Sequence, residues 1–367
     1  MRNRFALSSS VLAVVTALVL WAPTFVAAQA SSAAAAKAAA KAAARTDTKA
    51  AANIEKAWTM PRTQDGQPDM QGYWTSLSFT PMERPAKYGG REFLTDEEMA
   101  QVFKEGVQHT YEYTYANSAE TPVYDATVYA LGAWQNGVKP NRRSSLVVDP
   151  PDGRIPPLTP EAAKQQEVMR KTAPPRGAEL ENGGVVKADV PADLGLGVRC
   201  LSFGGPPILP GAYDSNVHIV QGPGYVMVEY EWNSEVRIIP LDGRPHLSQN
   251  IRRWHGDSRG HWEGNTLVVE TTNFRPGATF HGANAKTLKI TERFTRLDAA
   301  TIEYKFTIDD PTTWTKPWSA IVPLSAVQGP MFEYACGEGN NGLVNIMAGA
   351  RAAERTAAAQ AASEGHK

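Results

Sequence analysis

Net charge is almost absent from this chain. Its 37 lysines and arginines are matched by 38 aspartates and glutamates, leaving -1, so nothing in the balance calls for nucleic acid. Cysteine is scarce: only Cys200 and Cys336 occur, with no C-x-x-C spacing to activate a thiol. Neither a G-x-G-x-x-G fingerprint nor a G-x-x-x-x-G-K-[ST] loop is present, so no nucleotide cofactor is expected and none of any other kind is assigned. Downstream of Ala30 no apolar run reaches the length that spans a bilayer, so no transmembrane segment is expected after signal cleavage.

What is present begins with an export signal. Arg2 and Arg4 give a positive start, and Ala6 to Ala28 is apolar and uncharged. Val26-Ala27-Ala28 and Ala28-Gln29-Ala30 both end in the small-x-small pattern that a signal peptidase cuts. Residues 1–30 therefore read as a secretory signal peptide, cleaved after Ala28 or Ala30, and the expected location is periplasmic or secreted. A retained anchor fits less well because no charged stop-transfer flank follows. Residues 31–56, nearly all Ala with Lys, Arg and Thr at first, have helix formers but no apolar stripe, and read as a semi-rigid basic spacer. Roughly 310 residues remain, enough for one large domain. In an oxidising compartment Cys200 and Cys336 are expected to form a disulfide, tying the start of a β-region to its end.

Residues 57–200 read as an arm with helices that packs on the main body. Trp58, Tyr73 and Trp74 sit among Gly, Pro and Asp without a sustained period. Thr95-x-x-Glu98 is a capping box that opens a helix over about 96–106, stopped by Gly106. Ser144 to Val148 reads as a short strand, and Thr159-Pro160 opens a second helix ending near Lys171.

After Cys200 the period changes. Over 201–340, β-like runs occupy 216–221, 225–232, 235–239, 260–263, 266–272, 286–296, 301–308, 313–323 and 330–336. Short turns such as Gly222-Pro223-Gly224, Asp242-Gly243 and Gly264-Asn265 separate them, which joins neighbours antiparallel. The expected fold is mainly β: an antiparallel meander closing into an up-and-down or half-open β-barrel, with a β-sandwich as the alternative. The tail, 341–367, carries an Ala-rich helix from Leu343 to about Ala362.

Alternation then points to candidate chemistry. Ile302, Tyr304, Phe306 and Ile308 share one face of their run, an ordinary strand. Leu288, Ile290 and Phe294 share theirs with Glu292, and a carboxylate in an apolar row must find a partner or keep its proton. The densest polar run is 252–263, with His255, Asp257, Arg259 and His261. With His281 these offer three nitrogens and one oxygen, the donor set of a zinc site, but the spacing matches no metal signature and no metal is assigned. A salt-linked network bracing a hairpin is the simpler reading. Gly256-Asp257-Ser258-Arg259-Gly260 fits G-x-S-x-G, yet a hairpin follows where a nucleophile elbow needs a helix. Glu333 and Glu338 flank Cys336 and could pair only if folding brings them together. Trp254, Trp262, Tyr304 and Trp318 are the aromatic candidates for lining a ligand pocket, although small barrels also fill with such rings.

Several stretches together resemble a group of secreted bacterial proteins of unknown function. They are Asp65-Gly66-Gln67-Pro68-Asp69, Ser145-Leu146-Val147-Val148-Asp149-Pro150-Pro151-Asp152-Gly153-Arg154-Ile155-Pro156, Arg237-Ile238-Ile239-Pro240-Leu241-Asp242-Gly243-Arg244-Pro245-His246, Trp262-Glu263-Gly264-Asn265-Thr266-Leu267-Val268-Val269-Glu270, and Glu292-Arg293-Phe294-Thr295. The resemblance spans nearly the whole mature chain. It implies export and a single domain, and carries no catalytic residues over. Such proteins read His-Glu-Gly-Asn after the last cysteine, and Gly337 stands here where they have the histidine.

Three functions fit. The first is an exported barrel binding a small apolar or aromatic ligand inside. The second is an acid–base enzyme (lyase, isomerase or hydrolase) on the same scaffold, using His255, Asp257, His261 and Glu292 with Arg259 or Arg293 stabilising negative charge. The third is an envelope structural protein. Oligomeric state is not legible.

Overall fold

The computed structural model describes residues 58–112, 137–172, 189–202, 205–211, 215–276 and 280–364. The signal peptide and the spacer expected at 1–56 lie outside the described residues, as do residues 173–188 of the stretch 173–197 that reads as a linker in the sequence.

Ten strands form one antiparallel sheet: β1 (Gly72–Thr75), β2 (Val147–Asp149), β3 (Asn216–Gly222), β4 (Tyr225–Tyr230), β5 (Glu235–Pro240), β6 (Asp257–Glu263), β7 (Thr266–Thr272), β8 (Lys289–Asp298), β9 (Thr301–Asp309) and β10 (Trp318–Ala326). Their order is β5-β4-β3-β1-β10-β9-β8-β7-β6, with β2 also pairing β10. The free edges of β5 and β6 meet without a hydrogen-bonded ladder, so the sheet curls into a nearly closed barrel. At this seam Gly260 is required, since a Cβ there would lie 2.7 Å from Leu241 Cδ2 and 2.8 Å from Ile239 Cγ2. The hairpins follow their turns: Pro223-Gly224 joins Gly222 to Tyr225, and Gly264-Asn265 joins Glu263 to Thr266.

The fold matches the expected barrel class, but several segments differ. Residues 72–75, read as part of an aromatic arm, form β1 and sit in mid-sheet between β3 and β10. Trp74 is thereby buried, its Nε1 donating to the Met70 carbonyl. The strand expected at 330–336 does not form; β1 occupies the edge of β10 it would need, and the segment is a loop leading to Cys336. The run at 313–323 becomes a strand only from Trp318, because 310–315 is wound into a turn around Asp310.

Three α-helices are present among the described residues: α1 (Asp96–Glu112), α2 (Pro160–Thr172) and α3 (Asn341–Glu364). The Thr95/Glu98 capping box forms reciprocally, at 2.9 and 3.2 Å. Yet α1 runs past Gly106, which lies flat against the Phe79 ring and serves close packing instead of stopping the helix.

The core is the barrel interior. Ile302, Tyr304, Phe306 and Ile308 all point inward and are fully buried, with Trp318, Ala320, Val322 and Leu324 beside them on β10. Phe294, Tyr304, Phe306 and Trp318 form a continuous aromatic wall with centroid spacings of 4.7 to 5.9 Å. A smaller cluster of Leu194, Val198, Leu343, Ile346 and Met347 docks the start of α3 on residues 194–198. The Cys200–Cys336 disulfide, with Cα atoms 5.5 Å apart, fastens these two segments.

Candidate functional site

Glu292 is the one carboxylate on the inward row of β8, between Ile290 and Phe294, and it is fully buried. Its partner is Arg237, which reaches across from β5. Arg237 Nη2 donates to Glu292 Oε1 at 3.0 Å, and Nη1 lies 2.9 Å from Oε2 at an angle that makes no hydrogen bond. Tyr304 Oη donates to the same Oε1 at 2.8 Å and accepts from the Ile208 amide at 3.0 Å. Burial alone would lower the Arg237 pKa, but Glu292 together with Tyr230 and Tyr304 outweighs it and the guanidinium stays charged. Burial, reinforced by Glu292, pushes the Tyr304 phenol well above its ordinary range.

Tyr230, at the inward end of β4, joins this group. Burial raises its phenol pKa, Arg237 opposes, and Glu292 and Glu235 add to the rise, so it remains a hydroxyl. Its ring stacks at 12° on His255, whose Nε2 lies 2.8 Å from Glu235 Oε2. Gly205 covers the other side of His255: a Cβ there would lie 2.2 Å from Nδ1, so only glycine fits. Among the described residues, Tyr230 Oη, Arg237 Nε and Nη1, and Glu292 Oε2 are buried without hydrogen-bond partners. Buried polar atoms are normally paired, and each orphan costs about 1–3 kcal/mol. Arg237 Nη1 and Glu292 Oε2 still face each other across the 2.9 Å ion pair, which leaves Tyr230 Oη and Arg237 Nε as the two atoms of this group with neither a hydrogen bond nor an ionic contact among the described residues.

The remaining sequence candidates do not gather here. Asp257 lies on the outward row of β6, buried beneath residues 245–248. It accepts from the Leu247 amide at 2.9 Å, faces His246 Nδ1 at 3.0 Å, and takes Arg259 Nη1 at 2.8 Å. His246 Nε2 in turn meets Glu270 at 3.3 Å. This is the salt-linked brace on a hairpin. His261, exposed, and Arg293, half-buried, lie on the outer face, both on Glu263, whose carboxyl Arg293 first and His261 second hold below its ordinary range. His255, Asp257 and His261 therefore point to three separate places, and the zinc arrangement is not assembled; the His281 side chain lies outside the described residues. Ser258 points inward but is spent on Thr271 Oγ1 at 2.9 Å, on a strand followed by another strand. Glu333 and Glu338 are exposed.

The aromatic candidates divide as well. Tyr304 and Trp318 belong to the interior wall, and Trp262 packs at its edge. Trp254 is at the surface, with Arg275 4.3 Å above its ring. Sequence reasoning missed Arg237, Tyr230 and Glu235. The signal for Arg237 was present: a lone cation inside the run 235–239, the one charge there able to answer Glu292.

What fold and site define is a nearly closed antiparallel barrel with a buried ion pair and two buried tyrosine hydroxyls at its centre. No protein family, curated protein or solved structure matches the chain. The disulfide, and the absence among the described residues of a helix long and apolar enough to cross a membrane, are compatible with an extracytoplasmic protein.

Proposed function

We propose that this is a periplasmic or secreted binding protein, one of the exported group its sequence resembles, that holds a small molecule inside the barrel. The ligand's polar group meets the Tyr230–Arg237–Glu292 cluster and its apolar or aromatic body meets the wall beside Tyr304. The observation that carries this reading is the set of buried, unpartnered polar atoms beside an aromatic surface. The scattering of His255, Asp257, His261 and Arg293 supports binding over acid–base catalysis, because no substrate atom could touch them together.

A second reading has its own support. The interior is filled by side chains as large as Trp74, Trp318 and Phe306, which suits an envelope scaffold. Tyr230→Phe separates the two. Its hydroxyl has no hydrogen-bond partner among the described residues, so its loss leaves the free protein as stable or up to about 1 kcal/mol more stable. If the site takes a ligand, native mass spectrometry of wild-type protein shows a bound small molecule that the variant retains poorly. A wild type that carries no ligand, at the bare polypeptide mass, favours the scaffold.

A further inference from the structure

Whatever the barrel holds, we infer that one of its ends, around Arg253, Trp254 and Arg275, docks on an anionic phospholipid surface. Three connections meet there. Residues 251–256 lead into β6, 273–276 leave β7 and 283–288 lead into β8, and these strands are antiparallel neighbours, so all three emerge together. Main-chain bonds stitch them. The Arg253 amide donates to the Asn273 carbonyl at 3.0 Å and the Arg275 amide to the Arg253 carbonyl at 2.8 Å. The Arg252 guanidinium donates to the carbonyls of Phe274 and Ala285. Stitching gathers cations: Arg253, Arg275 and Lys286 are all exposed, and among the described residues none of them forms an ion pair. Carboxylates at the same end are committed elsewhere, Glu235 to His255 at 2.8 Å and the buried Asp310 to its hydrogen bonds. An anionic partner is what answers such a patch. Apolar surface lies among the charges. Trp254 is 37% exposed with the Arg275 guanidinium 4.3 Å above its ring, and Ile251, three residues earlier, is 51% exposed. An acidic peptide would answer the guanidinia and leave the indole and Ile251 wet. A phospholipid interface supplies both partners, phosphate for the cations and the headgroup–acyl boundary where indole rings settle.

The mature wild-type protein and three variants are mixed with vesicles of phosphatidylcholine alone or of equal parts phosphatidylglycerol and phosphatidylcholine, and binding is read by co-sedimentation at low salt. Arg252 is left in place because its guanidinium holds two carbonyls. The basic residues of 31–56 are common to all four proteins, so differences among them report on this end of the barrel. Wild type is expected to bind the anionic vesicles and to lose that binding as salt rises. Arg253→Gln/Arg275→Gln should bind them about 30-fold more weakly, at about fivefold for each cation lost from an anionic surface. Arg253→Lys/Arg275→Lys should stay within about threefold of wild type, because a headgroup layer reads charge and not guanidinium shape. Trp254→Ala keeps both charges and should lose about tenfold with the ring's contact area. Undiminished binding by the glutamine variant overturns the assignment, as does wild-type binding no tighter to anionic than to zwitterionic vesicles. A lysine variant that falls with the glutamine variant also overturns it, and points instead to a carboxylate-bearing protein partner that needs the planar fork.

Discussion

Glu292 shows how one residue constrains many. A carboxylate at full burial needs a cation, and Arg237 must cross the barrel to supply it. This explains an inversion in β5, where the aliphatic Val236 and Ile238 are exposed while Glu235, Arg237 and Ile239 face in. Flipping the strand would bury two aliphatics, a gain of roughly 3–6 kcal/mol. It would also expose Ile239 and strand Glu292, costing roughly 4.5–8 kcal/mol together. The ion pair decides the register. Accordingly, Arg237→Met alone is expected to destabilise by about 3–5 kcal/mol, because it leaves a buried carboxylate unpaired. The double variant Arg237→Met/Glu292→Leu should recover most of that loss. A chemical-denaturation double-mutant cycle measures the coupling, and equal, additive losses would contradict the account.

At the scale of elements, the connection from β9 to β10 is organised by one side chain. Asp310 accepts from Thr313, Thr312 and Thr287 hydroxyls and from the Asn284 and Thr312 amides. Burial pushes its carboxyl up, but the hydrogen bonds from Thr313, Thr287, Asn284 and Thr312 outweigh that and hold it below the ordinary 3.8. A depressed native pKa gives stability that is complete above the unfolded value and is lost as pH falls through the native one. Wild type should therefore lose stability as pH falls below about 4. Asp310→Asn should be less stable than wild type at neutral pH by about 1–3 kcal/mol and show a flatter acid limb. Urea midpoints across that range test this. Asp309-Asp310-Pro311 is a run of turn-forming residue types, and a turn forms there. That Asp310 also gathers 284–287 was not legible, since those contacts span 23 to 26 residues. The four-residue β1 was likewise hidden: its run is too short for alternation to register, and only the gap between β3 and β10 makes it a strand.

For the molecule as a whole, the disulfide closes a loop of 136 residues that encloses β3 to β10. In the chain-entropy picture such a closure is worth about 5 kcal/mol through the unfolded state. Around it, Leu194 and Val198 pack on Leu343, Ile346 and Met347, and Asn340 Nδ2 donates to the Val198 carbonyl. Reduction, or Cys200→Ala with Cys336→Ala, is expected to lower global stability by up to about 5 kcal/mol. Protection of amide protons at the start of α3 should be lost first, because its small cluster alone does not hold it. Hydrogen exchange on oxidised and reduced protein checks both, and unchanged α3 protection would oppose this role.

Alternation and turns in the sequence settled on their own that the chain from Asn216 is mainly antiparallel β, which faces of β8 and β9 turn inward, and that Glu292 is sheltered. These follow from the period-two geometry of a strand and from the few residues its turns tolerate. Tertiary structure alone decided where β1 inserts, how β5 turns its aliphatics outward, and that Arg237, Tyr230 and Tyr304 surround Glu292. A strand's pattern fixes which side of the sheet a residue takes; which side chains meet across a barrel depends on strand order and closure, and no local run of residues encodes those.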